Sequence, residues 1–85
     1  MKQRITVEQL NELTDEQVKK LSEWWKDHLP LLNIGQLIEY LTQTEKPLIE
    51  SSLAGWRVWH QGEHYSKVDL CDALWEAVKS LAKGQ

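Results

Sequence analysis

The run His60-Gln61-Gly62-Glu63-His64 is the stretch of this chain that spells out a catalytic string. It matches the H-x-x-E-H pattern of one metallopeptidase class, where two histidines on one helical face hold zinc and the glutamate activates a bound water. Gly62 interrupts the string, and the flanking Trp56, Val58 and Trp59 read as strand and turn, so a chance match is expected. A structural zinc site could draw on His28, His60, His64 and Cys71, but their spacing fits no finger pattern. The expectation is three surface or half-buried histidines, one inert core thiol and no bound metal. Ser51 and Ser52 lack any local Ser-His-Asp arrangement and read as polar loop or helix side. No G-x-x-x-x-G-K-[ST] or G-x-G-x-x-G run is present to cradle a phosphate. Asp69, Asp72 and Glu76 are helical neighbours and read as a solvated acidic edge. The residues therefore predict no catalytic group, no cofactor and no enzyme.

The aromatic residues are the more promising chemistry. Five Trp with no Phe is unusual, and Trp is enriched at binding hot spots as well as in cores. Alternation along Trp56-Arg57-Val58-Trp59 puts Trp56 and Val58 on one side of a strand and Arg57 and Trp59 on the other. If the first side packs on helices, Trp59 and Arg57 face outward, with Tyr65 expected across the hairpin. Trp24 and Trp25 point about 100° apart on a helix, so one can be core while the other sits at a rim. The candidate partner-binding residues are thus Trp24, Tyr40, Arg57, Trp59 and Tyr65.

These side chains must be held by the elements around them. Helices are expected over 7–13, 15–28, 34–42 and 67–82, with a β-hairpin over 56–65 and a frayed lead-in over 1–5. Thr6 with Gln9 and Thr14 with Gln17 read as capping boxes, and Asn33 as a third cap. Val18, Leu21 and Trp25 are expected to face inward from the second helix, which Pro30 helps to end. Ile34, Leu37, Ile38 and Leu41 form the stripe of the third, leaving Tyr40 half-exposed on its flank. Residues 46–54 stay open between a short helix stopped at Gly55 and an irregular crossover. The last helix carries Cys71, Leu74, Trp75, Val78 and Leu81 on one side, with Ser66 and Asp69 as its capping box and Gly84 past its end. It is the organising element, because a helix this apolar needs a partner surface. The predicted fold is α+β and mainly helical: one domain over 1–85, with three or four helices around a single core and a small β-hairpin before the C-terminal helix.

The chain has 85 residues, 41% of them hydrophobic and 27% charged, with a net charge of −3. Residues 1–28 carry five positive and six negative side chains, 29–55 one and three, and 56–85 four of each. No segment is basic enough for a nucleic-acid footprint, so the balance favours a protein partner. The single cysteine permits no intrachain disulfide, and no apolar run suits a signal peptide or membrane span; a cytoplasmic setting is expected.

Three stretches carry a resemblance: ELTDEQVKKLSEWWK at 12–26, LPLLNIGQLIEYL at 29–41 and DLCDALWEAVKSL at 69–81. Together they resemble a family of short uncharacterised proteins carried by phages and prophages of Gram-positive bacteria. Its members share a Trp-Trp opening, an LPLL-x-IGQ-type helix and an L-CDALWEAVK-type end. The resemblance implies a phage or prophage origin and the host cytoplasm, and it assigns no functional residue. This chain is shorter than the family pattern between the Trp pair and LPLL, so a function housed in that insertion is not expected here. The combined expectation is a small non-enzymatic protein that binds another protein, as an inhibitor of a host enzyme or of a bacterial defence system. The alternative is a nucleic-acid-binding accessory using Arg57, Trp59 and Tyr65. Five Trp are many for so small a core, and a homodimer is a second way to cover them.

Overall fold

A computed structural model describes residues 2–26 and 31–83. The three caps form as spelled. Thr6 and Thr14 accept the N–H groups of Gln9 and Gln17 through their hydroxyls, and Asn33 accepts that of Gln36 through its amide oxygen. Each glutamine in turn accepts the N–H of its cap residue. They open α1 (Val7–Leu10), α2 (Asp15–Trp24) and α3 (Ile34–Thr42). Gln9 and Gln17 then use their amide N–H groups elsewhere, on Asp72 Oδ1 at 2.8 Å and the Lys79 carbonyl at 3.0 Å. One side chain thus caps its own helix and ties it to the C-terminal helix, which a glutamate in its place could not do.

Residues 46–54 resolve into neither a helix nor a crossover. They supply a third strand, β1 (Leu48–Ser52), which pairs antiparallel with β2 (Gly55–His60). β2 pairs antiparallel with β3 (Glu63–Lys67), in the order β1-β2-β3. Gln61 and Gly62 both have positive φ, +52° and +77°, the type I′ turn that suits strand twist. Among the described residues helices take 46% and strands 23%, so the fold is α+β but not mainly helical, with a sheet larger than the expected hairpin.

α4 (Leu70–Ala82) packs on α2, α3, β2 and β3. It buries Leu70, Cys71, Ala73, Leu74, Trp75, Ala77, Val78 and Ala82. Leu21, Leu32, Leu37, Leu41 and Val58 complete the core. α4 starts three residues later than expected because β3 runs to Lys67. Asp69 stands at the cap position without making a side-chain cap bond, and the Ser66–Asp69 box does not form.

Other expectations also need correcting. Residues 2–5 are no frayed lead-in: Ile5 is buried, its N–H reaches the Leu32 carbonyl at 2.9 Å, and Arg4 bridges to Asn33. α1 ends at Leu10, and Val7 is exposed. On α2 it is Gln17, not Val18, that is buried beside Leu21. α2 ends at Trp24 with Trp25 as its C-cap, short of the expected end at His28, because the chain leaves helical geometry at Trp25 and turns to positive φ at Lys26. His28 itself, and Gly84 beyond α4, lie outside the described residues. No helix among the described residues is long and apolar enough to cross a membrane.

Candidate functional site

α4 takes the side of the sheet that carries Val58 and His60, both buried. Alternation therefore sends Arg57 and Trp59 to the opposite side, as the sequence predicts. Register sets their neighbours. Leu48, Trp59 and His64 form one cross-strand row, and Glu50, Arg57 and Ser66 form the next. The Trp59 Nε1–H donates to Glu50 Oε1 at 2.5 Å. The His64 ring lies 4.8 Å from Trp59, centroid to centroid, tilted by 41°. The Arg57 guanidinium sits 5.9 Å from the Trp59 ring centre, and Arg57 Nε donates to Ser66 Oγ at 3.4 Å. Trp59 is thereby fixed on every polar side while half-exposed, and Leu48 beside it is 59% exposed. Leu48, Glu50 and His64 are companions the sequence reading missed; only the register of β1 and β3 identifies them.

Tyr65 does not join this surface. It pairs with Val58, on the α4 side of the sheet, and is half-buried there. The two-residue turn sets His60 opposite Glu63, hence Trp59 opposite His64 and Val58 opposite Tyr65.

Tyr40 is buried rather than half-exposed, at 5%. Its ring stacks on Trp25 at 5.7 Å and meets Trp24 edge-on at 5.6 Å. Burial pushes the Tyr40 hydroxyl pKa up. Trp24 is 40% exposed and forms the rim of this cluster, as the 100° argument anticipates. The structure therefore holds the five candidates in three places: Arg57 with Trp59, Trp24 with Tyr40, and Tyr65 alone on the inner side.

The H-x-x-E-H string is pulled apart. His60 lies on the inner side, where its Nε2 is 3.0 Å from the Leu41 carbonyl and 3.1 Å from Thr44 Oγ1. His64 lies on the outer side against Trp59, so the two imidazoles cannot share an ion. His28 falls outside the described residues. Cys71 is buried on α4, where desolvation pushes its thiol pKa up and away from the thiolate that zinc would need. Among the described residues no group of three His, Cys, Asp or Glu is placed to hold a metal.

The acidic edge of α4 is only partly solvated. Lys2 Nζ lies 2.6 Å from Asp72 Oδ1, which also accepts from Gln9. Burial pushes the Asp72 carboxyl up, but these hydrogen bonds and the Lys2 charge outweigh it and hold the pKa below the ordinary range. Lys79 bridges Glu12 at 2.8 Å and Glu76 at 2.9 Å. These groups fasten α1 and its following turn to α4.

Compared with known proteins, the chain matches no family model, no curated protein and no solved structure.

Proposed function

We propose that this chain is a small non-enzymatic phage or prophage protein that works by binding another protein through the outer side of its sheet. The observation that carries the reading is Trp59. A large aromatic ring stands on a sheet face opposite the packed helix, with its N–H already satisfied by Glu50 and its position held by His64 and Arg57. Trp59 keeps part of its ring in solvent on that face, and a pre-positioned aromatic beside Arg is the composition of an interface hot spot. The family resemblance supports the origin, and inhibition of a host enzyme or defence system suits a compact acidic chain. The nucleic-acid alternative is weaker: Tyr65 lies on the other side of the sheet, and Glu50 stands beside Arg57.

The test is affinity capture from a Gram-positive host lysate with the full chain and with Trp59→Ala and Trp24→Ala. Trp59→Ala, with its circular dichroism unchanged, should weaken retention of the captured partner by at least about thirtyfold, the lower end of hot-spot truncations at about 2 kcal/mol. Trp24→Ala should retain it. Retention through Trp59→Ala, or loss through Trp24→Ala alone, refutes the sheet-face reading.

A further inference from the structure

β1 has β2 as its one substantial neighbour, and every residue of β1 except Ile49 is exposed. Among the described residues nothing pairs with its second edge, and the row His64–Trp59–Leu48 stops there with Leu48 exposed. An unpaired strand edge is a template for another strand. Which strand it fits is written in the residues on either side of Leu48. Lys46, Leu48 and Glu50 alternate with Pro47 and Ile49, and Pro47 keeps Lys46 extended, so these three project to one side.

We propose that this edge takes a second copy of the chain, β1 antiparallel to β1 about a two-fold axis at Leu48. The pairing sets Leu48 against Leu48 and joins the two half-rows into one outer stripe, His64–Trp59–Leu48–Leu48–Trp59–His64. It also sets Lys46 of each copy opposite Glu50 of the other, twice by symmetry. Neighbouring registers lack this fit. An axis at Ile49 sets Leu48 against Glu50, and an axis at Glu50 sets two carboxylates face to face. Both charges have capacity for the new partner. Among the described residues Lys46 makes no ion pair, and Glu50 engages Trp59 through Oε1 alone. Pro47 brings no N–H to the edge, which keeps the pairing short and makes the dimer a concentration-dependent one. This interface goes beyond the proposed function. It uses the edge of β1, and the captured partner of Trp59 is not needed for it.

The experiment is sedimentation equilibrium of the full chain at low salt over a wide concentration range. The weight-average mass should rise from 10.0 kDa toward twice that value. Lys46→Glu or Glu50→Lys alone turns two attractive pairs into two like-charge pairs and should lower the association constant about tenfold or more. The double variant Lys46→Glu/Glu50→Lys restores both pairs and should recover association to within a few-fold. It also lacks the Glu50–Trp59 bond, so recovery isolates the charge pairing. Amide exchange in β1 should slow as wild-type concentration rises. A wild-type chain that stays monomeric at the highest concentration overturns the proposal. So do single variants that associate normally, or a double variant that does not recover.

Discussion

Gly55 and Gly62 make a matched pair of substitutions whose difference can be worked out from the backbone. Both have positive φ, +141° and +77°, in the two turns of the same sheet. A Cβ on Gly62 meets nothing within 4 Å, so Gly62→Ala bears only the left-handed strain, about 1–2 kcal/mol. A Cβ on Gly55 would stand 2.4 Å from the Lys67 carbonyl oxygen and 2.8 Å from Val68 Cα. Those are backbone atoms, which cannot swing aside as a side chain would. Relief requires moving the β3–α4 connection, which adds about 1–3 kcal/mol of overpacking to the strain. The entropy that alanine removes from the unfolded chain is common to both variants and cancels in the comparison. Gly55→Ala should therefore cost about 2–5 kcal/mol, a large share of the roughly 4–13 kcal/mol expected of a domain this size. Urea unfolding followed by Trp fluorescence measures both, and melting shifts of about 4–8 °C per kcal/mol give an independent reading. Equal midpoints for the two variants would refute the close approach of the start of β2 to the β3–α4 connection.

Gln17→Glu keeps the capping acceptor but removes the N–H that reaches the Lys79 carbonyl and buries a carboxylate there. Urea midpoints should place it at least about 1–3 kcal/mol below wild type. Asp72 has its folded pKa lowered beneath the unfolded value of about 3.9. Its pairing therefore stabilises fully above that value, and the contribution fades as pH falls through the folded pKa. The stability gap between wild type and Asp72→Asn, about 1 kcal/mol for a half-exposed pair, should be widest near pH 7 and should close below about pH 4 in fluorescence melts.

Features governed by near neighbours along the chain are legible in its sequence. Thr6–Gln9, Thr14–Gln17 and Asn33–Gln36 close within four residues, so spacing alone identifies them. The stripe of α4 and the outward direction of Trp59 follow from periods of 3.6 and 2. Features governed by distant partners are not legible. Leu48-Ile49-Glu50-Ser51-Ser52 has too little alternation to read as a strand, and what makes it one is β2 beside it. Nothing in Gln9 or Gln17 announces a second bond to α4, sixty-odd positions away. Tyr40 is buried because Trp24 and Trp25 fold over it, a contact between two helices that neither stripe encodes. Tyr65 was recoverable: once Gln61-Gly62 is taken as a two-residue turn, counting back sets Tyr65 opposite Val58.

The same geometry separates the two contacts proposed for the sheet. On the outer side, Glu50 has taken the indole N–H and Ser66 accepts from Arg57 Nε, so Trp59 offers a partner mainly ring surface. Burial of such surface is an apolar term that salt leaves largely alone. At the β1 edge, selection of one register over its neighbours rests on Lys46 and Glu50, two exposed charges whose attraction salt screens over about 10 Å at 0.1 M. Raising ionic strength should therefore weaken association between copies while leaving retention of a Trp59-dependent partner nearly unchanged. If both contacts fail together as salt rises, Trp59 is not acting through its ring. The outer side and the edge would then be a single electrostatic surface.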